Sequence, residues 1–150
     1  MKQRLEYAKV APDAMMAMRE LEKYVASSGL ERSLYELVKT RASQINGCAY
    51  CLDMHTKDAR KAGETEQRLY ALSAWRETPF YTDRERAALE WTEALTLISQ
   101  NEVPDSLYEH VHKFFDEQKM VALTMAIVAI NGWNRLAISF RTIPGSYNPQ

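Results

Sequence analysis

The sequence is poor in the features that mark several large classes of protein. Two cysteines in 150 residues are too few for a disulfide-stapled scaffold. Neither sign of charge is in excess: 19 lysines and arginines stand against 20 aspartates and glutamates, a formal net charge of −1. So neutral a chain lacks the electrostatic footprint of a dedicated nucleic-acid binder. The longest apolar stretch, Met120–Ile130, falls well short of the roughly 20 residues that cross a bilayer. The opening MKQRLEYAKVAPD has no apolar signal core. The chain is therefore expected to be cytoplasmic, with neither a nucleic-acid nor a membrane partner. Glycine and proline, five of each, are also sparse, and they fall mostly where helical patterns stop.

What is present is helical periodicity over a composition that is 46% hydrophobic and 26% charged, ordinary for a globular chain. Met15, Met18, Leu21, Tyr24 and Val25 form one stripe ended by Gly29. Leu34, Leu37, Val38, Ala42 and Ile45 form a second, and Asn46-Gly47 reads as its stop. A third helix runs from about Cys48 to Ala62, and a fourth from Glu64 to Trp75. Thr82-Asp83-Arg84-Glu85 has the form of a capping box, opening a helix whose Ala88, Trp91, Leu95 and Ile98 share a face. A shorter helix begins at Pro104-Asp105 and runs through Phe114. Asp116 caps the last, Glu117–Phe140, which is apolar nearly all round between Val121 and Ile130 and so belongs at the centre or at a subunit interface. The expectation is one all-α domain over residues 1–150, with about six or seven helices. Trp75, Trp91 and Trp133 are read as core filling. Tyr50, Trp75, Phe80 and Tyr81 are candidate walls of a substrate channel, although core packing explains them equally well.

The two cysteines are not scattered. They form the C-x-x-C of Cys48-Ala49-Tyr50-Cys51, for which redox chemistry, metal binding and chance burial are the available readings. On a helix, His55 lies four positions beyond Cys51 and seven beyond Cys48, so the three share a face. Thiols at a helix N-terminus meet free N–H groups and the positive end of the macrodipole, both of which favour the thiolate. A neighbouring imidazole can accept the thiol proton. Zinc is the rival reading, with Cys48, Cys51 and His55 as ligands and His110 or His112 as the fourth. Structural zinc pairs are usually matched by a second pair, and His110-x-His112 is an uncommon spacing, so redox chemistry is favoured and no metal or cofactor is expected. His110 and His112 read as rim residues. Glu36 lies on the preceding helix at a depth from the Asn46-Gly47 turn similar to that of His55. It either faces the Cys/His cluster as a proton acceptor or is a solvated glutamate paired near Lys39.

Glu36 followed by Cys48, Cys51 and His55 spells E-x11-C-x-x-C-x3-H. The string resembles the signature of the alkylhydroperoxidase D-like proteins of the carboxymuconolactone decarboxylase family. The flanking Ser43–Gly47, Asp58–Glu64 and Asn131-Gly132-Trp133-Asn134-Arg135 look like the same family. The resemblance implies an all-helical homo-oligomer, commonly a trimer or hexamer. It also implies a thiol peroxidase that reduces organic hydroperoxides or hydrogen peroxide in antioxidant defence. In that picture Cys48 and Cys51 cycle between dithiol and disulfide, Glu36 and His55 relay protons, and a dithiol reductant restores the pair. Peroxide attack then falls to Cys51, with Cys48 resolving, whereas dipole stabilisation alone favours Cys48 as the more acidic thiol. Alkylhydroperoxidase D proper carries a histidine where this chain has Tyr50, and a phenol with a pKa of about 10 is a poor proton acceptor near neutrality. Tyr50 is thus an auxiliary that donates a hydrogen bond or orients a water. The alternatives are a lactone decarboxylase, whose family members generally lack the cysteine pair, and a zinc-stabilised interaction module.

Overall fold

The helix most completely surrounded by protein is the one that carries Glu36. A computed structural model describes residues 1–149, and in it the chain forms eight α-helices and one 3₁₀ turn among the described residues, with no strand. The helices are α1 (Tyr7–Val10), α2 (Pro12–Ser27), α3 (Arg32–Asn46), α4 (Ala49–Lys61), α5 (Glu66–Ala71), α6 (Asp83–Thr96), α7 (Asp105–His112) and α8 (Glu117–Phe140). The fold class is as expected, with one or two helices more than anticipated. The short α1 has no apolar stripe to announce it. The expected Glu64–Trp75 helix becomes α5 followed by a 3₁₀ turn over Leu72–Glu77, with Ala74 out of helical conformation.

Helix α3 packs against α4, α6 and α8. Leu34 and Val38 join Ala88, Trp91, Phe115, Leu123 and Ile127 in the largest apolar cluster. Leu37 packs instead with Leu72, Trp75, Tyr81 and Leu89. Because α3 is covered on more than its apolar stripe, Glu36, Lys39, Thr40 and Ser43 are buried as well. Buried groups of that kind need partners, or their desolvation goes uncompensated, and most of these find theirs at the site described below.

Local stops and starts obey the sequence signals. Gly47 takes the left-handed conformation, φ 69°, and Cys48 N–H reaches back to the Ser43 carbonyl at 3.0 Å, so α3 and α4 fold into a hairpin. Thr82 and Glu85 form both halves of the capping box, and Asp116 accepts from Lys119 N–H at the start of α8.

Three expectations are corrected. Tyr24 and Ile98, placed on buried stripes, are exposed, since α6 ends at Thr96 and releases Ile98 from the helical face. Helix α7 stops at His112, not Phe114. The 11-residue run Met120–Ile130 understated α8, which is long and apolar enough to cross a membrane by length and composition. Half of its most apolar window is buried within the fold, the position of a core helix, while Val121 and Val128 remain exposed.

Candidate active site

The α3–α4 hairpin puts the dithiol at the N-terminus of α4. Cys48 is the N-cap, extended rather than helical, and its sulfur accepts from the Cys51 backbone N–H at 3.4 Å. This is the bond an N-cap serine or aspartate ordinarily makes. The two sulfurs lie 2.7 Å apart, both free and both buried, in a small cluster with Ala42, Ile130 and Ala137.

From the far side, α8 contributes Asn134, 1% exposed. Its amide donates to Ser43 Oγ at 3.1 Å, its carbonyl oxygen accepts from Asn46 at 2.8 Å, and its polar side chain favours the ionised form of both thiols. These contacts split the thiols electrostatically. Hydrogen bonding from Cys51, with help from backbone N–H groups and Asn134 against the cost of burial, lowers Cys48 to about 7. Cys51 is pushed strongly upward, first because its proton is held by Cys48 and then by burial. The pair therefore shares one proton, with the thiolate on Cys48. The sequence pointed to Cys48 as the more acidic thiol through the helix dipole; the neighbouring S–H is the larger cause.

Glu36 resolves in favour of the cluster. Its Oε2 lies 2.9 Å from His55 Nδ1, both side chains being at most 5% exposed, while Lys39 pairs with Glu22 instead. With Nδ1 tied to the carboxylate, Nε2 is the free end of the ring, and it is buried with no hydrogen-bond partner. Leaving such an atom unpaired costs about 1–3 kcal/mol, a cost typical of groups kept ready for a ligand or a proton.

Cys51 and His55 open onto a cavity of about 330 Å³ that Cys48 does not line. Its walls are aromatic and thioether groups, among them Tyr7, Tyr35, Tyr50, Met54 and Trp133, with Lys39, Glu22 and Asp58 as the charged members. Of the four proposed wall residues only Tyr50 lies there. Trp75 and Tyr81 belong to the core and Phe80 is exposed. Trp133, expected in the core, instead walls the cavity and donates to Glu22 at 2.8 Å. Glu22, Tyr35, Lys39 and Asn134 were missed as site residues. The buried position of Lys39 on α3, four residues after Tyr35, was the available signal for two of them.

The zinc arrangement is not assembled. His110 and His112 are exposed on α7, which packs on α6 and α8. The converging ligand-type group among the described residues is Glu36, His55 and Asp58, with no sulfur in it. Glu36 and His55 Nδ1 already satisfy each other and Asp58 accepts from the Tyr147 hydroxyl at 2.8 Å, which leaves His55 Nε2 without a partner.

An all-helical bundle with a buried C-x-x-C at a helix N-terminus, backed by a Glu–His pair, defines the alkylhydroperoxidase D-like class of fold and site. The chain belongs to the carboxymuconolactone decarboxylase family, whose family model matches residues 11–94. It is 51% identical to the uncharacterised protein YdfG of Bacillus subtilis (strain 168), over 93% of this chain and 95% of that one. Among solved structures it resembles ATU0492 of Agrobacterium tumefaciens, a protein of unknown function whose name proposes an antioxidant defence role of the AhpD kind. That match has a TM-score of 0.93 and 46% identity, over 97% of this chain and all of that one. The debrominase Bmp8 shares the fold at a TM-score of 0.79 and 19% identity, over 90% of this chain and 73% of that one.

Proposed function

We propose that the chain, acting as one domain over residues 1–150, is a thiol-dependent peroxidase that reduces organic hydroperoxides or hydrogen peroxide. The observation that carries this reading is the pair of sulfurs 2.7 Å apart, one of which opens with His55 onto a cavity of substrate size. Cys51 attacks because it is the thiol that lines that cavity. Its proton passes to Cys48 as its sulfur bonds to the terminal peroxide oxygen; the O–O bond breaks and the other oxygen leaves as an alkoxide that takes up one further proton to become the alcohol, leaving Cys51 as a sulfenic acid. Cys48 then displaces the hydroxyl as water, giving the disulfide, and an external dithiol returns both cysteines to thiols. Glu36 fixes the tautomer of His55, whose free Nε2 holds or returns a proton during the resolving step. Tyr50 lines the cavity and serves as a hydrogen-bond donor to substrate or water rather than a proton relay, because burial pushes its phenol above the ordinary value. A pair that must be kept as thiols suits the reducing cytoplasm.

A lactone-decarboxylating reading leaves the dithiol without a task, and a zinc-stabilised module lacks its second ligand pair. The exposed apolar groups of α8, Val121 and Val128, together with the neighbouring Ile98, are covered by further copies of the chain in a trimer or hexamer. The test of the activity is hydroperoxide consumption driven by a generic dithiol. The wild-type protein turns over, and Cys51→Ser does not.

A further inference from the structure

A second polar group lines the cavity and has no part in the steps above. Lys39 is 2% exposed, yet it lines the same cavity as Cys51. Its ammonium donates to Glu22 Oε2 and to the Tyr35 hydroxyl, and the Tyr35 hydroxyl donates to Glu22 in turn. Trp133 completes the shell around Glu22. Taking an ammonium and a carboxylate out of water costs several kcal/mol per ion, and an apolar pair of similar volume commonly serves the fold as well or better. A buried cation at the wall of a reactive cavity therefore calls for a chemical reason.

Peroxide reduction supplies one, and the inference rests on that reading. As Cys51 takes up the terminal oxygen, the other oxygen leaves as an alkoxide, a strong base comparable with hydroxide. A proton must arrive there while Cys51 gives up its own, so one group cannot conveniently do both. Cys48 and the free Nε2 of His55 accept.

We propose that Lys39 is the general acid that protonates the departing alkoxide. In this step the Cys51 sulfur is oxidised by two electrons, the O–O bond is cleaved, and the Lys39 ammonium gives one proton to the leaving oxygen and becomes an amine. Solvent restores that proton through the Tyr35–Glu22 pair, whose carboxylate side chain is 22% exposed. The environment suits the task. Burial pushes the Lys39 ammonium below the ordinary lysine value, partly offset by Glu22, which makes it a stronger acid than a free lysine. Glu22 itself stays ionised: Lys39, Tyr35 and Trp133 outweigh its own burial.

The test compares two oxidants by rapid mixing, reading the first-turnover rate of thiol loss. With tert-butyl hydroperoxide the leaving group is a strongly basic alkoxide; with peracetic acid it is acetate, which needs no proton. Lys39→Met should slow the first oxidant by roughly 100-fold or more, the scale of general acid catalysis, and change the second by less than about threefold on the same basis. Lys39→Arg keeps the charge but is a far weaker acid, and should fail in the same selective way. The Glu22→Gln/Lys39→Met double variant leaves no lone buried carboxylate and guards against a folding defect; it too should discriminate between the oxidants. Equal losses with both oxidants in these variants, no loss with either, or full rescue by arginine would overturn the proposal. A wild-type protein inert to both oxidants would instead overturn the peroxidase reading itself.

Discussion

At the residue scale, the site depends on how one proton is shared between two thiols. Cys48 is lowered to about 7, first by the Cys51 hydrogen bond and further by backbone N–H groups and Asn134. The sign is that of an acid made stronger: below about pH 7 both sulfurs are protonated, and above it the Cys48 thiolate is present. Peroxide reduction is therefore expected to rise with pH through about 7. Thiolate ultraviolet absorbance should show one group titrating there in the wild-type protein. Removing the larger cause in Cys51→Ala should move that titration well up toward the ordinary thiol range, and Asn134→Ala should move it up by a smaller step. An unchanged titration in both variants would contradict this origin of the acidity.

The residue scale is also where the sequence was most informative and where it misled. The grouping of Cys48, Cys51 and His55 was legible because helical spacing relates them. Asn134 and Trp133 were not, because they arrive from α8 at 88 or more residues from Asn46, Ser43 and Glu22; nor was Glu22, which meets Lys39 and Tyr35 across the break between α2 and α3. No local spacing rule encodes contacts of that kind.

At the scale of elements, the α3–α4 hairpin fixes the site and the helix termini fix the hairpin and its support. Gly47 occupies a left-handed position that an L side chain enters at a cost of about 1–2 kcal/mol, which explains a glycine at the one turn that sets Cys48 against Ser43. Helix α6, which packs on α3, is held at its start by the reciprocal Thr82–Glu85 cap. Thr82→Ala should destabilise the protein by about 1 kcal/mol in chemical denaturation, with no change in the Cys48 titration. A loss indistinguishable from zero would show that the cap is not holding α6. Most boundaries of this kind were legible, since caps and glycine stops are local. The 3₁₀ turn at Leu72–Glu77 was not, because it depends on Leu72 and Trp75 turning into a cluster built from α3, α4 and α6. The reach of Glu36 was likewise undecided until α4 lay against α3.

At the scale of the whole molecule, the apolar surface left on α8 and the cavity beneath it belong to one design. Trp133 and Ala137 wall the cavity, while Val121 and Val128 on the same helix face outward. In the proposed assembly, covering them with further copies would remove apolar surface from water at about 25 cal/mol per Å². Light scattering should give three or six times the chain mass, and a monomer at working concentration would contradict the assembly. The all-round apolar character of α8 was visible in the sequence, but which of its faces stays uncovered depends on how α2, α3, α4 and α6 pack on it.

The peroxidase reading itself is tested most directly by mixing the reduced protein with hydroperoxide and a regenerating dithiol, and following peroxide loss and free thiols together. The wild-type protein should consume peroxide catalytically and, when the dithiol is omitted, lose both thiols for one equivalent of peroxide through a Cys48–Cys51 disulfide. Cys51→Ser should do neither. Equal peroxide loss by the two proteins, or two free thiols surviving an equivalent of peroxide in the wild type, would contradict a dithiol peroxidase.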